Sequence, residues 1–189
     1  MSKPFETFCH QMEEVPPTLE KFMQRAPRSE RSRASWESFG MAYAGAFESL
    51  YEFAVAKDEV ERLAMPLLFL CRHSIELSIK DALRVYLEYA GEPANLQGHS
   101  LLSLWNRLLR QFRDAEYHED AWTRYCTEII THLHNADATG EIFRYPFSNN
   151  GQSFDHVQAD IEKLAVAHLH IGMICDGAIE MLEAIGDKR

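Results

Sequence analysis

Apolar residues recur every three or four positions over most of the chain after residue 35, and this spacing constrains the fold more than any other feature. Such a period places apolar side chains on one face of an α-helix, whereas a strand requires alternation of apolar and polar residues. The pattern covers five segments, at about 36–54, 61–90, 100–112, 119–136 and 155–185. We therefore predict an all-α fold, an up-and-down bundle of four to five long helices.

Residues 140–151 interrupt the helical pattern. This stretch mixes aromatic residues with Arg144 and ends in Ser148-Asn149-Asn150-Gly151, which is a strong turn signal. We predict an irregular loop or a short hairpin here, between the fourth helix and the last.

The first 35 residues differ in composition from the rest. Pro16, Pro17 and Pro27 exclude a long helix, although short helical pieces fit between them. A basic cluster lies here, formed by Lys21, Arg25, Arg28, Arg31 and Arg33. We predict an N-terminal arm or linker over 1–35 and a bundle domain over 36–185. The basic cluster fits either a solvated linker or a nucleic-acid contact.

Charge and hydropathy limit the classes of partner. The 29 acidic and 19 basic residues give a formal net charge of -10, which argues against wholesale wrapping of nucleic acid but allows a local cationic site. No apolar run approaches the roughly 20 residues that span a bilayer, and the N-terminus lacks the apolar core of a signal peptide. The four cysteines form no Cys-x-x-Cys pair. We predict a cytoplasmic protein with reduced thiols and no membrane partner.

A row of charged residues lies on the apolar face of the second predicted helix. Arg72, Glu76 and Lys80 follow one another at four-residue intervals, and apolar residues flank the row on both sides. A partly buried charge pair is costly to maintain. Two interpretations stay open: the pair ties this helix to a loop, or the row lines a polar site inside the bundle.

Three short motifs mark the second helix, the start of the third and the loop. They read Arg72-His73-Ser74-Ile75-Glu76-Leu77, Gly98-His99-Ser100-Leu101-Leu102-Ser103-Leu104-Trp105 and Phe143-Arg144-Tyr145-Pro146. Together they resemble one bacterial branch of the HEPN-like (higher eukaryotes and prokaryotes nucleotide-binding) proteins, over about residues 36–185. The resemblance implies an up-and-down helical bundle that is often dimeric, and we expect a homodimer through the first or the last helix.

The same resemblance implies two alternative functions. One is a metal-independent endoribonuclease of toxin–antitoxin or antiviral defence systems. The other is a catalytically silent module that binds a nucleotide, RNA or a partner protein such as an antitoxin or an effector. Ribonuclease members carry Arg-x(4–6)-His, a spacing that Arg113 and His118 match. In that role His118 acts on the ribose 2′-OH and Arg113 stabilises the phosphorane.

A phosphate pocket is the ligand site that we predict. Its members are Arg72, Glu76, Lys80, His99, Arg144 and Tyr145. His99 begins a helix, where free backbone N–H groups favour an anion. Three cations around one carboxylate leave an excess of positive charge, which suits a phosphate. The alternative is a buried salt-bridge network that only holds the loop in place.

Metal and cofactor chemistry is not indicated. His132 and His134 are two residues apart on a predicted helix, as are His168 and His170, so each pair diverges by about 200° around the axis instead of chelating. Gly-x-Gly-x-x-Gly, P-loop and Gly-x-Ser-x-Gly motifs do not occur in the sequence. We therefore predict neither a metal nor a cofactor.

Overall fold

The computed structural model describes residues 35–115, 119–148, 150–154 and 158–186. The predicted N-terminal arm and His118 lie outside these residues. Within them the chain forms five α-helices: α1 Trp36–Ala56, α2 Val60–Tyr89, α3 Leu101–Asp114, α4 Ala121–Ala136 and α5 Ile161–Gly186. The described part contains no β-strand, only an isolated antiparallel bridge between Phe147 and Ser153. The prediction of an all-α helical bundle is confirmed.

α2 is the central helix of the bundle. It packs against α1, α3 and α5, and α4 completes the bundle by packing between α3 and α5. The largest fully buried side chains come from four helices, with Phe47 on α1, Tyr86 on α2, Trp105 on α3 and Ile130 on α4 among them. Because α2 is surrounded on several sides, its buried charged residues Arg72, Glu76, Lys80 and Asp81 must find partners inside the protein.

Short polar residues define where the helices begin. Ser35 accepts a hydrogen bond from the Ser38 N–H at 3.0 Å, and Asp120 accepts one from the Thr123 N–H at 2.8 Å. α5 begins at Ile161, later than the predicted start near Asp155, which is itself outside the described residues. Asp160 supplies the capping carboxylate instead, 3.1 Å from the Lys163 N–H, because residues 158–160 are not helical.

Two connections bring polar groups to the same side of α2. The first, residues 90–100, leaves α2 through Gly91, whose φ of 73° is the left-handed conformation of a helix stop. The second, after α4, contains the bridge at Phe147 and a Ser148 N–H that donates to the Gln152 carbonyl at 2.8 Å. The second connection is thus the predicted loop with a minimal hairpin.

α5 is unusually apolar for a helix with an exposed face. Residues 161–184 are long and apolar enough to cross a membrane by length and composition alone, although a third of this window is buried within the bundle. Leu169 and Met173 are exposed on its surface. The cysteines at 71, 126 and 175 are buried free thiols, in agreement with the sequence analysis.

Candidate ligand-binding site

The guanidinium of Arg72 lies at the centre of a buried polar network. Nη1 donates to Glu76 Oε2 at 3.1 Å, Nη2 to the His99 carbonyl at 2.6 Å, and Nε to the Asp137 carbonyl at 3.2 Å. Arg72 therefore joins α2 to the start of α3 and to the end of α4. A guanidinium suits this position because its donors point in several directions within one plane.

Glu76 shares its two carboxylate oxygens among three donors. Oε1 accepts from Lys80 Nζ at 2.8 Å and lies 2.9 Å from His99 Nδ1, while Oε2 accepts from Arg72. Burial by itself would raise the pKa of Glu76, but the hydrogen bonds from Lys80 and His99 outweigh burial and lower this pKa below its usual value. Glu76 is therefore an ionised carboxylate within the bundle at neutral pH.

His99 connects the buried network to the surface. Its side chain is 72% exposed, although Nδ1 is hydrogen-bonded to the buried Glu76 carboxylate. Because an ionised carboxylate only accepts, we assign the proton of this hydrogen bond to Nδ1. Nε2 is then the ring nitrogen that can exchange a hydrogen bond or a proton with a ligand.

Lys80 extends the network towards α1. Its ammonium group is buried, donates to Glu76, and lies 5.7 Å from the centroid of the Trp36 ring. Cations above an aromatic face are stabilised by the ring quadrupole. The start of α1 therefore covers one end of the row that runs from Arg72 through Glu76 to Lys80.

Two members of the site, Asp137 and Gly140, were not identified from the sequence. The Asp137 side chain is fully buried, with Oδ2 3.5 Å from Arg72 Nε and Oδ1 accepting from the Ile142 N–H at 3.2 Å. Gly140 has a φ of 79°, and a Cβ there would lie 3.0 Å from Arg72 Nη1. Asp137 carries no local signal, since its partner Arg72 is 65 residues away in sequence, whereas Gly140 had been noted only as the start of the loop.

The charge of the buried network is balanced. Arg72 and Lys80 contribute two positive charges, and Glu76 and Asp137 contribute two negative ones. The sequence indicates only one carboxylate at this site, so the predicted excess of positive charge does not arise among these four residues. Any attraction for an anion at this side of the bundle must come from the partly exposed groups above the network.

Arg144 and Tyr145 lie next to the network but in a cavity of their own. Both side chains are exposed, and the Arg144 guanidinium lies 5.3 Å from the Tyr145 ring centroid. They line a shallow cavity of about 360 Å³ together with Met65, Phe154 and other residues of the loop; His99 is not among its walls.

Gly140 links Arg144 to the buried residues. Arg144 Nε donates to the Gly140 carbonyl, while the Cα of the same glycine faces the Arg72 guanidinium. The pKa of His73 reflects these nearby charges. Burial lowers this pKa most, the positive charges of Arg72, Lys80 and Arg144 lower it further, and the negative charge of Glu76 raises it. Four of the six predicted ligand residues thus belong to one network. The other two, Arg144 and Tyr145, lie outside it, and Gly140 connects Arg144 to it.

The other candidate residues lie elsewhere. Arg113 is exposed in the last turn of α3, and its Nε is 3.5 Å from a Glu119 carboxylate oxygen. Its predicted catalytic partner His118 is outside the described residues. Within the described ranges, no group of three or more His, Cys, Asp or Glu side chains is arranged to hold a metal ion.

Fold and site together define an all-α bundle in which a buried, charge-balanced network holds a surface histidine. A scan against protein-family models, a search of curated proteins and a search of solved structures found no match. The function is therefore argued from the geometry of the site and from the motifs that carry it.

Proposed function

We propose that this chain is an HEPN-like protein that binds a phosphate-bearing ligand, a nucleotide or RNA, through His99, Arg144 and Tyr145. The observation that carries the proposal is the hydrogen bond between the exposed His99 ring and the buried Glu76 carboxylate. An exposed histidine ring is solvated by water and does not need a hydrogen bond to a buried group. A partner that fixes its ring orientation is typical of a histidine that acts on a ligand.

The three exposed groups have the chemistry that a nucleotide requires. A guanidinium binds phosphate oxygens through paired N–H donors, and an imidazole can donate to the same group when it is protonated. The Tyr145 ring, 54% exposed, offers a face on which a base can stack. The Arg144 side chain uses Nε for the Gly140 carbonyl, which leaves its terminal nitrogens for the ligand.

The buried residues have a supporting role in this proposal. Arg72, Glu76 and Lys80 are hydrogen-bonded to one another and to the backbone of both connections. They position His99 and the loop that carries Arg144, and we do not assign them direct ligand contacts. The two interpretations of the charged row are in this way compatible, because a network that holds the loop also orients the surface groups.

A second candidate function, metal-independent cleavage of RNA, is favoured by the same Glu76–His99 pair. In this reaction His99 Nε2 takes the proton of the ribose 2′-OH, the 2′ oxygen attacks phosphorus, and the bond from phosphorus to the 5′ oxygen breaks. The leaving 5′ oxygen takes a proton from water, the proton on His99 Nε2 returns to solvent, and Arg144 stabilises the negative charge on the phosphorane. Arg113 and His118 remain the alternative catalytic pair implied by the motif spacing. A role in defence or in a toxin–antitoxin pair remains a prediction from the resemblance.

Binding is tested with Arg144→Ala and adenosine monophosphate. We expect the wild-type protein to bind this nucleotide in calorimetry, and the variant to lose at least tenfold in affinity with an unchanged melting temperature, because the side chain is exposed. Arg62→Ala is the matched control, since Arg62 is an exposed arginine on α2 that pairs with Glu59. Unfolding of Arg144→Ala, with no thermal protection of the wild-type protein by any phosphate compound, would contradict a ligand site.

Cleavage is tested on RNA in the presence of a chelator. If the Glu76–His99 pair is catalytic, His99→Ala abolishes cleavage at saturating RNA, whereas Arg113→Ala still cleaves once RNA is saturating. Loss of cleavage in Arg113→Ala alone would assign the reaction to the other pair. Binding without any cleavage by the wild-type protein would leave the non-catalytic module as the function.

A further inference from the structure

An open groove of about 670 Å³ runs along the outer face of α3 and contains a line of arginines. Arg107, Arg110 and Arg113 lie in this groove at three-residue intervals, together with Ser103 and Asn106. At 1.5 Å per residue, the three arginines extend over about 9 Å of the helix axis. His134, from the last turn of α4, lines the same groove.

The charge of this groove is opposite to that of the chain. The protein has a formal net charge of -10, with 29 acidic residues. None of the described residues that line the groove is Asp or Glu. A groove lined by arginines on a protein of net negative charge attracts an anion locally, which favours a defined path for a polyanion over the described residues.

The arginines are largely available for a ligand. Arg110 is exposed, and no hydrogen bond or ion pair is recorded for it among the described residues. One terminal nitrogen of Arg107 donates a hydrogen bond to the Asn95 carbonyl. Arg113 lies 3.5 Å from Glu119, but both side chains are substantially exposed, so this pair contributes little and is readily exchanged for a phosphate.

A further observation connects this groove to the proposed phosphate site. The groove reaches Ser100, the N-cap of α3, which directly follows His99. A ligand that binds His99 can therefore continue along α3 for about 20 Å, the length from Ser100 to Arg113.

We propose that this groove binds the phosphodiester backbone of a single-stranded nucleic acid, and that the strand continues from the phosphate site at His99 along α3 to Arg113. The proposal rests on the proposed function for the class of ligand. A single line of three arginines matches the backbone of one strand, whereas a duplex needs a broader cationic surface than this acidic protein offers. RNA and DNA share this backbone, and the experiment separates them.

Fluorescence anisotropy with labelled oligonucleotides of about 12 nucleotides, a length within the range of single-strand sites, tests the groove. The probes are oligouridylate and oligothymidylate, and affinities are measured at several salt concentrations. We expect the wild-type protein to bind one or both strands more tightly than adenosine monophosphate. Arg110→Ala should weaken strand binding roughly fivefold to tenfold and reduce the slope of log affinity against log salt by about 0.7 to 1, the contribution of one phosphate contact.

Arg62→Ala serves again as the control, because it removes one exposed arginine from another helix. In the triple variant with alanine at 107, 110 and 113, affinity should no longer increase with strand length. Its affinity for the mononucleotide should be unchanged. Wild-type affinity and salt slope in both groove variants, or equal affinity for a duplex of the same length, would overturn the proposal. Mononucleotide binding that survives this outcome leaves the proposed function intact. Strand binding that needs the α3 arginines but neither His99 nor Arg144 refutes the proposed phosphate site and supports the groove alone.

Discussion

Arg72 is a single buried residue whose partners come from three parts of the chain. Its donors contact Glu76 on its own helix, the His99 carbonyl before α3 and the Asp137 carbonyl after α4. Removing one partner of a buried ion pair typically costs about 3–5 kcal/mol, because the remaining charge is left uncompensated. At the residue scale, the geometry of the site and the stability of both connections therefore depend on the same side chain, that of Arg72.

Gly140 is the residue of the loop that lies against Arg72. Comparing its substitution with that of Gly91 separates the cost of the left-handed backbone from the cost of the contact with Arg72. Gly140→Ala adds a Cβ in a left-handed conformation and places it 3.0 Å from the guanidinium. Gly91→Ala is the matched control, because Gly91 has a φ of 73° but no atom within 4 Å of the added Cβ. We expect about 1–2 kcal/mol of destabilisation at Gly91 from the backbone alone, and a larger loss at Gly140. Urea denaturation measures both, and equal losses would mean that the contact with Arg72 is unimportant.

His168 makes the stability of the fold depend on pH. Its ring is buried, with Nε2 2.8 Å from the Ser74 hydroxyl oxygen and its centroid 4.6 Å from that of the tilted Phe47 ring. Burial lowers the pKa of His168 from 6.5 to about 4. The unfolded chain therefore binds a proton between these values that the folded chain does not, so stability is lost as pH falls from about 6.5 to 4.

The loss amounts to roughly 3 kcal/mol if His168 titrates alone, at about 1.4 kcal/mol for each pH unit. Denaturation at several pH values measures it. His168→Gln keeps a polar group next to Ser74 and should flatten the profile above pH 5, where few carboxylates titrate. A wild-type profile that is already flat between pH 5 and 6.5 would show that His168 is not buried as a neutral ring.

At the scale of elements, α1 and α5 leave a groove between them in which apolar and acidic residues are mixed. Met41, Leu169 and Met173 line it with exposed side chains, and Glu37, Glu48, Asp81 and Asp176 line it as well. Gly172 has open space above it, where another helix can approach closely. The predicted homodimer through the first or last helix fits this surface, and it remains a prediction.

Leu169→Glu tests the dimer, because it replaces an exposed apolar contact with a further carboxylate, and no Lys or Arg is among the described residues that line this groove. We expect the wild-type protein to be a dimer in light scattering at tens of micromolar, and Leu169→Glu to be a monomer with an unchanged helical circular dichroism spectrum. Val55→Glu is the control, since Val55 is an exposed apolar residue of α1 that does not line the groove. A monomeric wild-type protein at this concentration would contradict the prediction.

At the scale of the whole molecule, the proposed anion sites are set against a net negative charge. The Arg144 surface and the α3 groove are local cationic features, within the described residues, of a chain whose formal net charge is -10. Long-range repulsion and local attraction both weaken as salt screens charges. Under the two proposals, the path of a polyanion over the described residues therefore depends on the positions of a few arginines and not on overall charge.

The sequence by itself determined the helices and the charged row, because both follow from local spacing. The helical period, Ser35 as an N-cap and the Arg72–Glu76–Lys80 row depend only on residues within a few positions of one another. The start of α5 was misplaced, since several polar residues before it could act as the cap.

Only the tertiary structure decided which connections meet over the charged row. His99 is 23 residues from Glu76, and Asp137 is 65 residues from Arg72. No local pattern reports contacts over such separations, which depend on how α3 and α4 pack against α2. The balance of charge, the exposed His99 ring and the arginine line along α3 therefore became visible only once the helices were in place.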